Sequence, residues 1–229
     1  MDEMQAWQAA TLGQRAVAAL VRNGFTAQFL ASGREAADYV LSRVPKGASI
    51  GFGGSRTVQE LGLAATLSAR GHTVFDHGRP GLSREEQVAA RYRQLTADIF
   101  VCSSNAVTLR GELVNRDAVG NRVAAMIFGP KSVFVIAGAN KLVRDLEEAE
   151  RRIRLVAAPL NNRRFATKNP CVQQGECVDC RSEARLCNIT TIISFMAHSW
   201  RKCADFPKKM HPFMHKTTNN TSVPQCTER

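Results

Sequence analysis

Between Thr26 and Ser103 the chain alternates short apolar runs with helix-length segments, a rhythm that leaves few folds open to it. Thr26–Leu30 is one such run, and Ser32 with Glu35 three residues later forms a capping-box pattern that predicts a helix ending before Pro45. Ala48–Phe52 is the next, followed by Gly53 and Gly54 and by a Thr57/Glu60 pair that predicts a helix lasting to Arg70. His72–Phe75 reads as a third strand, Ser83 and Glu86 open a helix to Leu95, and Asp98–Ser103 reads as a fourth strand. Ahead of them, Trp7, Leu12, Ala16, Val17, Leu20 and Val21 fall at helical spacing up to Gly24. Strands that alternate with capped helices predict an α/β fold, a mostly parallel sheet flanked by helices on both faces. A ligand site then belongs off the carboxyl ends of the strands, which carry Gly53-Gly54-Ser55 and Ser103-Ser104-Asn105.

After Ser103 the rhythm changes. Glu112–Asn115, Val123–Phe128 and Ser132–Ala137 read as neighbouring strands, and Leu142–Ala158 as a helix that stops at Pro159. Residues 1–160 are thus assigned to an α/β core, 161–193 to a Cys-rich C-terminal element that completes it, and 194–229 to a basic, mobile tail with few large aliphatics. No apolar run approaches the roughly 20 residues of a membrane span. The first ten residues carry Asp2 and Glu3 and do not read as a secretory signal, so a cytoplasmic protein is expected. The formal charge of +11, of which the segment from Phe195 onward supplies +4, points to anionic partners. Phosphate, carboxylate, nucleic acid and a membrane surface all answer to that sign; no nucleic-acid-reading motif accompanies it, and a small carboxylate or phosphate-bearing ligand is the expected partner.

The stretch Gly51–Glu60 places Gly53, Gly54, Ser55 and Thr57 at a helix start, where backbone N–H groups and hydroxyls can converge on an anion. The same residues also suit a tight strand-to-helix turn with Thr57 as its cap. The stretch lacks the Gly-Lys-Ser/Thr of a P-loop and the three-glycine spacing of a dinucleotide fingerprint. A second polar constellation holds Asn105, Thr108, Asn115, Asn121 and Arg122, the donors and acceptors a ligand pocket needs, or else the turns of solvated hairpins. Glu112 within it is the candidate catalytic group, a general base or nucleophilic carboxylate if it lies buried beside the glycine loop. Lys131 and Lys141 each follow an expected strand and can neutralise an anionic substrate.

Of seven cysteines, Cys171, Cys177, Cys180 and Cys187 are separated by five, two and six residues. Thiolates at these spacings can converge on an iron–sulfur cluster or, alternatively, one zinc ion, although free redox-active thiols are also compatible. Cys102, in an apolar strand, reads as core.

Taken as an ordered set, several motifs resemble the LUD domain, a lactate-utilisation family. They are Gly53-Gly54-Ser55 with Thr57, Glu60, Leu61 and Gly62; Leu95-Thr96-Ala97-Asp98; Ser104-Asn105-Ala106; Asn115, Asp117 and Gly120-Asn121-Arg122; Gly129-Pro130-Lys131; Gly138-Ala139-Asn140-Lys141; Ala157-Ala158-Pro159; and Cys187-Asn188-Ile189-Thr190. The resemblance spans roughly Trp7 to Ile193. It implies a fold similar to the sugar-phosphate isomerase and CoA-transferase superfamily. It also implies a role linked to oxidation of L-lactate to pyruvate, with iron–sulfur and oxidoreductase partner proteins. The alternatives are a metal-independent enzyme of the isomerase or CoA-transferase type, using Glu112, and a binding module switched by its thiols or a metal. Beyond Ile193 no closing apolar strand of the kind such a fold requires is visible, so an exposed sheet edge and a homo-oligomer are expected.

Overall fold

Four of the described helices, the one behind Asp145 among them, start where a polar side chain can satisfy an otherwise orphaned backbone N–H. In the computed structural model, which describes residues 2–196 and the backbone of 209–215, Asp2 accepts from Gln5 N–H at the head of α1 (Glu3–Arg22). Ser32 accepts from Glu35 N–H ahead of α2 (Gly33–Arg43), and Ser83 with Glu86 forms a complete capping box on α5 (Arg84–Leu95). The remaining elements in chain order are β1 (Gln28–Leu30), β2 (Ile50–Phe52), α3 (Arg56–Gln59), α4 (Leu63–Ala69), β3 (Val74–Asp76), β4 (Ile99–Cys102), β5 (Ala106–Thr108), β6 (Leu113–Asp117), α6 (Asn121–Ile127), β7 (Ser132–Gly138), β8 (Leu142–Val143), α7 (Leu146–Arg152), α8 (Ala158–Arg164), α9 (Pro170–Gln174), β9 (Ile189–Ile193) and β10 (Lys209–His215). No described helix is long and apolar enough to cross a membrane.

One sheet has the order β1-β10-β7-β4-β2-β3 with every pair parallel. Its central strands are buried on both sides, as a parallel sheet covered by helices requires. Along β7, Val133, Val135 and Ala137 join one core cluster with Phe100, Cys102, Leu20 and Met126, while Phe134 and Ile136 join the other with Ile99, Val101, Leu63 and Leu67. A strand's two-residue period thus builds one core above the sheet and one below. A second sheet, β8-β5-β6-β9, is antiparallel at β5/β6 and β6/β9 and parallel at β5/β8.

Four expectations are corrected. Val123–Phe128 is not a strand: Val123 and Met126, three apart, are buried with Ala125, and α6 runs from Asn121 to Ile127. Thr57 does not cap a helix to Arg70; Ser55 is the N-cap of α3, and Gly62, at φ +63°, separates α3 from α4. The helix after Asp145 does not stop at Pro159. A π turn over Ile153–Ala157 carries α7 into α8, so that the carbonyl of Arg154, five residues before a proline that has no N–H, accepts instead from Cys177 N–H at 3.0 Å. Finally, a closing strand exists: the backbone of Lys209–His215 lies between β1 and β7, and the sheet's outer strands are β1 and β3. Its middle residue, Pro212, donates no ladder hydrogen bond and disguises the segment. The rest of the expected tail, 197–208 and 216–229, lies outside the described residues.

Candidate anion-binding site

Parallel strands deliver their carboxyl ends to one side of the sheet, and three of those ends meet. β2 runs into Gly53-Gly54-Ser55, β4 into Ser103-Ser104-Asn105, and β7 into a short 3-10 turn, Ala139–Lys141. The Lys141 amine donates to Ser103 Oγ at 2.6 Å and to Thr57 Oγ1 at 3.1 Å, so segments 38 and 84 residues away in sequence close on it. Both partners are hydroxyls; among the described residues no carboxylate forms an ion pair with it. Burial pushes its pKa down to about 7, helped by the guanidiniums of Arg152 and Arg122 and opposed by Cys102 and Glu60.

Arg122, at the start of α6, has spent all of its donors. Nε and Nη2 pair with Asp117 at 3.0 and 2.6 Å, Nη1 bonds Ser103 O and Asn115 Oδ1, and Nη2 also reaches Asn105 Oδ1 and Arg116 O. Asp117 and Arg122 are nearly buried, with side chains 10% and 14% exposed, so this is an internal tie between the β5–β6 hairpin and the end of β4. Asn105 and Asn115 therefore act as acceptors for Arg122 within that tie. Asn121 opens α6 one residue ahead of it.

The glycine loop is tightly backed. A Cβ on Gly53 would sit 3.0 Å from Cys102 Cβ and 3.5 Å from Arg122 Cδ, and one on Gly54 would sit 3.3 Å from His77 Nε2. His77 follows β3 and went unnoticed in the sequence, although the residue after any strand of this sheet arrives at the same side. Its Nδ1 lies 2.9 Å from Gln94 Nε2, and that amide also donates to Phe52 O and Phe75 O at 2.9 and 3.0 Å. Two carbonyls fix which way the Gln94 amide points; its nitrogen accepts nothing, so its two N–H groups are shared among the two carbonyls and Nδ1, and the imidazole proton is assigned to Nε2, facing Gly54. Burial lowers the His77 pKa, Arg91 and Arg164 add to this, and Asp76 opposes it. Arg164 donates to Gly54 O at 2.9 Å from the far side of the loop.

Other expected residues lie elsewhere. Thr108 and Glu112 face each other at the tip of the β5–β6 hairpin, where Thr108 Oγ1 donates to Glu112 Oε2 at 2.6 Å. Gly111 beside them, at φ +87°, packs so closely on Ala19 that a Cβ would come within 2.6 Å of its carbonyl carbon. Among the described residues, Glu112's hydrogen bonds go to Thr108, and none links it to the glycine loop. Lys131 precedes β7 because the expected strand before it is α6. It pairs with Asp98 at 2.9 Å at the amino end of the sheet, opposite the site. Ser55 stands in the loop as N-cap of α3 without a side-chain capping bond.

The four cysteines form a separate neighbourhood. Cys171 is the second residue of α9, Cys187 precedes β9, and both are buried; Cys177 and Cys180 are half-buried in the loop between. Burial pushes the Cys171 thiol up, and the thiols at 180, 177 and 187 add to the shift, which marks them as near neighbours. Cys177 Sγ accepts Asp179 N–H at 3.4 Å, and Arg185 holds Cys180 O. The donor set suits a thiolate-bound centre in kind and neighbourhood, while no three metal-ligating side chains among the described residues are drawn together closely enough to hold an ion.

The family model of the LUD domain matches residues 13–204. No curated protein sequence matches the chain. Among solved structures, the crystal structure of a DUF162 family protein from Deinococcus radiodurans superposes with a TM-score of 0.50 at 11% identity, covering 91% of this chain and 98% of that one. At that identity the likeness is one of fold.

Proposed function

Because this chain belongs to the LUD domain family, we propose that it serves lactate utilisation by binding a small 2-hydroxy or 2-oxo carboxylate, lactate or pyruvate, among Gly53–Thr57, Ser103 and Lys141. The carrying observation is Lys141 itself: a cation held at the carboxyl ends of three strands by two hydroxyls, with no internal carboxylate among the described residues to neutralise it. An anionic ligand supplies the missing charge. The Nε2–H of His77 and the fixed guanidiniums of Arg122 and Arg152 make the surroundings positive. Similarity to the sugar-phosphate isomerase and CoA-transferase superfamily, whose ligands are also anionic, is part of the same proposal and rests on analogy of fold.

The four thiols are proposed to hold an iron–sulfur cluster, with zinc as the alternative, supported by their spacing and by the effect of the thiols at 177, 180 and 187 on Cys171. A bound cluster would supply one-electron transfer towards an oxidoreductase partner. The chain's own contribution is to position the Cys177 loop, through Arg154 O, and to bond Cys177 Sγ through Asp179 N–H.

Calorimetric titration of lactate, pyruvate and CoA compounds tests the site. The wild type is expected to bind the small carboxylates and Gly54→Val and Lys141→Met to lose them at least tenfold. Unchanged affinity in both variants would remove the loop and the lysine from the site.

A further inference from the structure

Lys141 has the surroundings of a nucleophile as well as those of an anion anchor. Its amine is met by two hydroxyls, which can accept from it or donate to it and, unlike a carboxylate, do not lock it as an ammonium. Two guanidiniums are pinned nearby. Arg122 bonds the carbonyl of the same Ser103 whose hydroxyl meets Lys141, and Arg152 bonds Asn140 O, in the peptide group that joins Lys141, and Asn105 O. Each is fastened to backbone carbonyls and cannot swing away when Lys141 gains a proton. The residue as a whole is partly buried, neither sealed in the core nor free in solvent.

We propose that Lys141 condenses with the C2 carbonyl of a 2-oxo carboxylate to form an imine. The inference rests on the carboxylate-binding reading of the same site. The amine lone pair attacks C2, the carbonyl oxygen takes up a proton, and the resulting carbinolamine expels that oxygen as water with both nitrogen protons accounted for. The sum is amine plus ketone giving imine plus water, with no change of oxidation state. Ser103 and Thr57, at 2.6 and 3.1 Å from Nζ, are placed to pass the proton from nitrogen to oxygen. The charged and titratable groups around Lys141 are Arg122 on α6, Arg152 on α7, the Cys102 thiol on β4 and Glu60 after α3; with its pKa about 7, a large share of the amine is neutral at physiological pH. Lactate carries the same carboxylate but no carbonyl, so it binds without condensing.

The test is reductive trapping on the full chain. Pyruvate with cyanoborohydride is expected to add a single carboxyethyl group, mapped by peptide mass analysis to Lys141 in preference to the exposed Lys46, Lys131 and Lys168. Trapping should rise as pH is raised through about 7, the lysine's own range. Lactate should give no adduct, and Lys141→Arg should lose the modification while retaining a folded circular dichroism spectrum. The wild-type peptide map decides the matter even if that variant fails to fold. Lactate binding with no pyruvate adduct, or adducts spread evenly over the exposed lysines, overturns the imine and leaves the carboxylate site standing. Absence of binding by either acid overturns the site itself.

Discussion

Lys141 is held where its charge is costly, and that cost has a measurable sign. Its pKa in the folded chain, about 7, lies below the ordinary 10.5, so between these values the unfolded chain holds a proton that the folded chain has shed. Stability from this group therefore rises with pH across that window, by at most about 1.4 kcal/mol per pH unit. Lys141→Met removes the effect. The variant is expected to be more stable than wild type by about 1–2 kcal/mol at pH 7, with the gap closing towards pH 10, at the expense of ligand binding. Thermal melts of both proteins across that range check it; parallel pH profiles would contradict it. His77 offers a second residue-scale prediction. Because Gln94 donates to Nδ1, the imidazole nitrogen shifts in NMR should show the Nε2–H tautomer, staying neutral below its ordinary 6.5. Stability from His77 is fully present above 6.5 and falls with acid through the lowered pKa, since the unfolded chain takes up its proton first. An Nδ1–H tautomer would refute the assignment.

At the scale of elements, a proline inside a helical run makes a loop anchor. The π turn before Pro159 lets α7 and α8 continue as one path and leaves Arg154 O to hold Cys177, so the Cys-bearing loop is tied to the core before any metal is involved. Anaerobic purification followed by iron, zinc and acid-labile sulfide analysis is expected to find iron with sulfide in the wild type. Cys177→Ala combined with Cys180→Ala should lose it. Zinc alone would make the element a structural clamp, and no metal would return the thiols to a redox role. Much of the element order was readable in advance: the caps at Ser32 and Ser83 and the strands around Ile50 and Ile99 follow from local chemistry. Val123–Phe128 misled because a short apolar run has no decisive period, and Thr57 because its hydroxyl is engaged by a lysine 84 residues away.

For the whole molecule, the decisive feature is that β10 sits between β1 and β7 instead of trailing from the fold. Truncation after Phe195 is expected to strand β1 and expose the edge of β7. The shortened chain should elute as aggregate in size-exclusion chromatography and lose cooperative unfolding. A monomeric, cooperatively melting truncation would show that the strand adds nothing to stability.

By itself, the sequence determined the α/β alternation, the glycine loop, the family and the cluster of cysteines, because caps, periodicity and motif order are written in neighbouring residues. Only the tertiary structure decided that Lys141 joins Thr57 and Ser103 while Lys131 goes to the opposite end of the sheet. It also made Arg122 an internal tie, bound Glu112 to Thr108 across its own hairpin and brought His77 to the glycine loop. Those outcomes depend on which strand ends are brought together, and strand order is a long-range choice that no local pattern encodes.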